Sequence, residues 1–378
     1  MMSTPWIVKL GTVLTPWATR VGLPVKGLIR STLFSQFIGG ESLEQTATVA
    51  KKLADYRVQV ILDYGVEGKQ GESFYDEARD QFINVIDFAA TQPNIPFISI
   101  KLTGLARFQL LEEIHCKMVS LELPLLERYE KALSLLPLEL LNEWGRVCSR
   151  MEKICFHAAI RQVAVALDAE ETWIQEPLDA LAAVMMELCN KKRPIVYNTF
   201  QLYRSDRLAF IKQMHTLATE RGYILGAKLV RGAYMEKERK RAALMGYASP
   251  INPTKGSTDE LYDHALNYCI DHLDSFGIIV ASHNEKSNLL AVRKLLENGH
   301  SLQHSHIHWS QLYGMSDNIT FNLANAGCGV SKYLPFGPIE DVVPYLMRRA
   351  QENTSVKGQT GRELGLIQKE LARRAQSA

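Results

Sequence analysis

The chain reads as an α/β protein built on a (β/α)8 TIM-type barrel. Three observations predict this. Eight short apolar, β-branched runs bounded by breakers recur along its 378 residues. Helix-period stretches alternate with them, as a parallel sheet wrapped by helices requires. No GxGxxG or GxxxxGKS/T follows any strand, so the nucleotide loops of open doubly wound sheets are missing.

In order, the strand runs are QVILDYG at 59–65, IPFISIKLTG at 95–104, VAVALDAE at 163–170 and RPIVYNTFQ at 193–201. They continue with YILGAKLVRGAY at 223–234, GIIVASHN at 277–284, HIHWSQLYG at 306–314 and GVSKYLPFG at 329–337. Among the helical stretches are DALAAVMMELCNK, DRLAFIKQMHTLATERG, TDELYDHALNYCIDHLDSFG and EKSNLLAVRKLLENG. The connection at about 105–162 is too long for a structureless loop. Its pattern, LERYEKALSLLPLELLNEWGRVCSRMEKI, predicts a helical insertion after the second strand. The expected organisation is an arm at 1–40, one barrel domain at 41–358 and a tail at 359–378.

Composition excludes several classes. Charged residues make up 22% and hydrophobic ones 46%, with a net charge of +2, so there is no basic excess for nucleic acid. Six cysteines show neither CxxC nor zinc spacing and are expected to be reduced thiols in the cytosol. No apolar run approaches the ~18 residues that span a bilayer. The arm carries Lys9, Arg20, Lys26 and Arg30, Trp6 and Trp17, and no acid. That composition suits an anionic membrane surface, partly resembles a transit peptide, and equally suits an arm packed on the domain through Trp6, Trp17 and Phe34.

Each strand ends in a functional group: Asp63, Lys101, Asp168, Asn198, Lys228 with Arg231, His283, Gln311 and Tyr333. In a barrel these ends converge on one face. The last helix, IEDVVPYLMRRAQEN, adds Arg348, Arg349 and Glu352. Its apolar stripe runs through Val342, Val343, Leu346 and Ala350. The doublet is either a solvated pair with stems along apolar neighbours or a clamp for an anion such as a carboxylate. Cations Lys101, Lys228, Arg231, Arg348 and Arg349 face carboxylates Asp63, Glu67, Asp168 and Glu352, a balance that fits a small zwitterion. KLVRGAY could bind a phosphate or pyrophosphate, or be neutralised by the acids of MEKERK.

The blocks LDYGVEG, ISIKLTGL, LDAEE, YNTFQLY, KLVRGAY, ASHN, KYLPFG and YLMRRAQEN resemble, in family order from about 35 to 358, the proline dehydrogenases in their monofunctional, eukaryotic-like form. The resemblance implies a barrel that holds FAD without a Rossmann domain, with the last helix over its mouth. It implies that Arg348 and Arg349 bind the substrate carboxylate, helped by Lys101, itself placed by Asp168. Glu352 and Tyr333 would line the proline ring, Tyr234 and Leu312 would complete the pocket, and Glu67 would pair with Arg348 and close it. For the cofactor it implies Lys228 near N5, Asn198 at the isoalloxazine edge, Arg231, Gly232 and Ala233 at the pyrophosphate, and His283 with Asn284 at the adenylate.

The implied reaction is oxidation of L-proline to 1-pyrroline-5-carboxylate by hydride transfer from C5 to N5, the first step of proline catabolism. The implied partners are a membrane quinone as electron acceptor and a separate aldehyde dehydrogenase downstream. The expected setting is cytoplasmic, with peripheral contact at the inner face of a membrane, the mitochondrial inner membrane for a eukaryotic source. Tyr333, smaller in hydroxyproline-preferring members, points to proline rather than its 4-hydroxyl analogue. HSHIHW offers a rival, a metal-dependent barrel hydrolase, through His304, His306 and His308. Its histidines stand at the start of the seventh strand, away from the mouth. A third reading, a noncatalytic binding module that kept the barrel, finds no decayed site residue to support it.

Overall fold

The computed structural model describes residues 34–65, 70–355, 365 and 368–375. The strands are β1 Gln59–Tyr64, β2 Phe97–Lys101, β3 Ala164–Asp168, β4 Val196–Gln201, β5 Leu225–Val230, β6 Phe276–Ala281, β7 Ile307–Leu312 and β8 Val330–Phe336. Each pairs with the next, and β8 pairs with β1 in parallel, so the sheet closes into an eight-stranded barrel. All eight predicted runs hold a strand, and the fold expectation is borne out.

The helices that matter below are α1 Leu43–Ala54, α2 Glu72–Ala90, α3 Phe108–Val119, α4 Leu125–Ser134, α5 Leu138–Arg161 and α6 Gln175–Cys189. They are followed by α7 Arg207–Arg221, α8 Met235–Met245, α9 Lys255–Asp271, α10 Glu285–Glu297, α11 Asp317–Asn325 and α12 Ile339–Ser355. The insertion between β2 and β3 is α3 and α4, since the long α5 returns the chain along α2 to the sheet. Arg150 on α5 ties it to Glu72 and Asp76 of α2.

Because every strand is covered by helices outside and packed within, both faces are buried and two clusters form. The larger joins the outer strand faces to the helices. The smaller fills the barrel with Ile61, Phe97, Ala164, Ala166, Tyr197, Ile279 and Tyr333, and is capped by Phe34, Phe37 and Ile38 together with Ile339, Val342, Tyr345 and Leu346 of α12. α12 therefore lies on the mouth with its apolar face inward. Two absent side chains let β4 pack closely: a Cβ at Gly226 would stand 2.1 Å from the Val196 carbonyl oxygen, and one at Gly277 would stand 2.5 Å from the Pro194 ring and 3.0 Å from the Tyr197 hydroxyl. Toward the mouth the inward positions of β4 and β7 carry the small Thr199 and Ser310, and both line the mouth cavity.

Candidate active site at the barrel mouth

A cavity of about 840 Å³ opens at the carboxyl ends of the strands. Register decides which side chains reach it. Lys101 is level with Asp168, Thr199 with Lys228, and Leu312 with Tyr333, all pointing inward. Asp168 is the hub: its carboxylate accepts from Lys228 Nζ at 2.5 Å and from the Tyr333 hydroxyl at 2.7 Å, and Lys101 Nζ stands at 3.8 Å. Burial works to raise the Asp168 pKa, but the ammoniums of Lys228 and Lys101 and these hydrogen bonds overcome it and hold the group at about 2. Lys228 also lies 4.8 Å from the centroid of the Tyr333 ring, fixing that ring across the barrel.

Lys101 is placed differently from the expectation. Its ammonium is 3.2 Å from Asp63 Oδ1, nearer than Asp168, because Asp63 points inward from the neighbouring β1 while Asp168 is already engaged by Lys228 and Tyr333. From the other side, Arg348 and Arg349 of α12 line the same cavity. Arg349 is only 6% exposed, with its guanidinium 5.1 Å from the Tyr345 ring centroid. The structure thus brings Lys101, Asp168, Tyr234, Leu312, Tyr333, Arg348 and Arg349 together. Glu67 lies outside the described residues, and so does the side chain of Glu352.

The cavity extends past β5 and β6 to the starts of α9 and α10, where Lys228, Arg231, Gly232, Ala233, His283 and Asn284 line it. Gly232 has φ +129°, and a Cβ there would meet the Tyr203 ring at 2.6 Å, so a side chain is excluded where the backbone crosses the cavity wall. Asn284 caps α10, accepting from Lys286 N at 2.9 Å and Ser287 N at 3.3 Å. Burial, with Lys332, Arg349 and Arg231 nearby, lowers the His283 pKa to about 3, so it is neutral and shares a hydrogen bond of 2.9 Å with Ser316. Arg231 does not stand free for an anion: Asp259 holds Nε at 2.6 Å, and Ser282 and Ser287 accept from its other nitrogens. The neutralising acid sits on α9, not in MEKERK.

Asn198 requires correction. It is level with Leu167 and Ala227 on the outer face, is 1% exposed, and donates to Asp179 of α6 at 2.8 Å. It does not reach the cavity. Its neighbours Thr199 and Gln201 do, and Thr199 Oγ1 is a buried hydroxyl with no partner in the wall. Lys255 and Asp259, also lining the far end, were missed. No local signal marked them, because their place depends on the path of the long β5–α9 connection.

Glu170, just behind Asp168, is buried and accepts from Thr103 Oγ1 at 2.7 Å. Burial raises its pKa from the ordinary 4.5 to about 7. Between those values the folded state binds the extra proton, so stability falls as pH rises through the window. Urea titrations should show a contribution of about 3 kcal/mol disappearing from about pH 4.5 to 7, and Glu170→Gln should remove that part of the slope.

The histidines of HSHIHW occupy the opposite end. Only His308 lies within β7; its ring packs 4.9 Å from that of Phe97, and burial lowers its pKa to about 3. His306 precedes the strand and bonds the Leu273 carbonyl at 3.0 Å. Among the described residues no group of three or more metal-ligating side chains is assembled.

A family model described as Proline dehydrogenase matches residues 46–362. Hydroxyproline dehydrogenase of Xenopus laevis is 32% identical over 370 residues, spanning 92% of this chain and 78% of that protein. Proline dehydrogenase 1, mitochondrial, of Dictyostelium discoideum is 32% identical over 380 residues, spanning 93% and 66%. Among solved structures, proline utilization A from Bdellovibrio bacteriovorus matches 86% of this chain with a TM-score of 0.73 at 19% identity, a likeness of fold in which this chain spans 33% of the longer one.

Proposed function

The chain belongs to the proline dehydrogenase family and is an oxidoreductase acting on proline, and we propose that it holds FAD in the mouth cavity and converts L-proline to 1-pyrroline-5-carboxylate. The observation that carries this reading is the facing of two arginines on α12 and the Lys101, Asp168, Tyr333 cluster across one cavity. Such a site takes a small zwitterion by its carboxylate.

The far end of the cavity fits an elongated cofactor. Thr199 Oγ1 is an unpaired buried hydroxyl in the wall, Gly232 brings backbone close, and the starts of α9 and α10 border the cavity at Lys255 and Asn284, with their first amides capped by Thr254 and Asn284. Lys228, Thr199 and Gln201 would border the flavin ring, Gly232 and Ala233 the pyrophosphate, and His283 with Asn284 the adenylate. Bound there, FAD would supply the two-electron oxidant for the hydride that leaves C5 of proline.

Arg348 and Arg349 hold the substrate carboxylate and fix the ring, so that C5 has one orientation. Lys101, steadied by Asp63, adds a third cation on that side. Tyr333, locked by Asp168 and Lys228, forms the wall against the ring, with Tyr234 and Leu312 beside it. With a pKa of about 2, Asp168 is not the base that takes the amine proton; it keeps Lys228 and Tyr333 in place. Glu352 would complete the wall, and Glu67 would pair with Arg348 when the site closes and excludes water. The partners of this reading are L-proline, a membrane quinone as acceptor and a separate aldehyde dehydrogenase that consumes the product.

Turnover with a soluble quinone, followed by trapping the cyclic imine with an aromatic amino-aldehyde, tests the reaction directly. Coloured adduct with proline supports it, and quinone reduction without adduct removes it. Tyr333 also sets the choice between proline and trans-4-hydroxyproline. Tyr333→Ser should raise the hydroxyproline-to-proline ratio of kcat/KM by about 10- to 100-fold. Equal turnover of both substrates by the unaltered protein contradicts the proline preference.

A further inference from the structure

Beyond Tyr234, the long connection between β5 and α9 has no role in the reaction above. It starts and ends at the mouth: Tyr234, before α8, and Lys255, at the start of α9, both line the cavity. Beside the end of β4 it is tied down by Ser205 N donating to Pro250 O at 3.0 Å and Asn252 N to Tyr203 O at 2.7 Å. The base of α8 is anchored as well, with Arg241 on Glu112 at 2.5 Å and its guanidinium 4.3 Å from the Trp173 ring centroid.

Beyond that anchor, residues 243–249 are all exposed. Leu244 is 76%, Met245 65% and Tyr247 43% exposed, and Gly246 at φ +74° ends the helix between them. Adjacent exposed apolar side chains on a tied-down projection call for a partner. Charge indicates which. Between Glu238 and Asp259 the chain carries no acid; of its cations Arg241 is held by Glu112 and Lys255 by Asp259, which leaves Arg239 and the exposed Lys240 beside the apolar tips. Apolar tips flanked by cations, with a Tyr at their edge, suit the headgroup region of an anionic bilayer, where the stems bury and the charges meet phosphates.

We infer that the 243–249 projection inserts into the interface of an anionic membrane and sets the barrel mouth against the lipid surface. This rests on the reading that electrons leave the mouth for a membrane acceptor, and it names the surface that brings the mouth there.

The test is sedimentation of the full-length FAD-loaded protein with vesicles of phosphatidylglycerol and phosphatidylcholine in equal parts. Binding that weakens with salt is expected. The double variant Leu244→Glu, Met245→Glu should lower the bound fraction about tenfold or more, while bleaching of the flavin by proline stays intact and reports a folded site. Met245→Trp should give a blue-shifted emission on the same vesicles. Binding by the double variant equal to that of the unaltered protein overturns the inference. So does binding lost only when residues 1–33 are deleted, which assigns contact to the arm, and so does absence of vesicle binding, which leaves an acidic protein as the partner to seek. Vesicle binding through the projection in a protein that proline fails to bleach upholds the docking and removes the substrate reading.

Discussion

Arg349→Met is expected to lower kcat/KM for proline about a hundredfold or more, with the flavin still bound. A charge-assisted hydrogen bond contributes roughly 1.5 to 3 kcal/mol, and a guanidinium can make two to one carboxylate. The loss should fall chiefly on KM, since the clamp grips substrate and transition state alike. Arg349→Lys should rescue little, because an ammonium cannot reproduce the planar fork. Steady-state kinetics across the three forms, with the visible spectrum as a control for folding, checks this. An unchanged KM in Arg349→Met would make the doublet a surface feature. That outcome is at odds with the 6% exposure of Arg349 and its place in the cavity wall.

Asp168→Asn should destabilise the fold by about 3 to 5 kcal/mol, because it leaves the buried Lys228 ammonium without its carboxylate while Lys101 keeps Asp63. The wild-type carboxylate has a depressed pKa of about 2, so its contribution is present above pH 4 and lost as pH falls toward 2. That acid-side loss, about 2 kcal/mol, should be absent in the variant. Proline-dependent flavin reduction should slow as well, because Tyr333 loses the acceptor that fixes its ring. Urea midpoints at neutral and acid pH separate the two effects. A midpoint unchanged at pH 7 contradicts the account of Asp168 as the hub.

Much of this architecture was legible because β-branched runs and helix periods alternate without ambiguity. The ends of the strands were less so. The fifth run, read to Tyr234, yields a strand only to Val230, since Gly232 turns the chain outward at φ +129°. Of the apolar stripe read on α12, Val342 and Leu346 are buried, Val343 is half-buried and the side chain of Ala350 lies outside the described residues, while Tyr345 joins the buried pair against the mouth. This seats Arg349 on the inner side, and periodicity alone could not tell an inward flank from a solvated one.

Side-chain direction was the weaker reading. All six residues of VYNTFQ are buried, so no alternation of polarity marks which face looks inward. Asn198 was therefore read into the cavity where Thr199 and Gln201 stand. Likewise Lys101 has carboxylates on both neighbouring strands, and only the register and the prior claim of Lys228 on Asp168 assign it to Asp63. Arg231 finds its acid 28 residues further on, at Asp259, a pairing set by how α9 returns to the mouth.

The visible spectrum of the purified protein, recorded before and after anaerobic addition of L-proline, tests the central claim most directly. The account predicts a flavin spectrum that proline bleaches, with FAD released on denaturation. A flavin spectrum that proline leaves unchanged, or a protein that takes up no FAD on reconstitution, would contradict it.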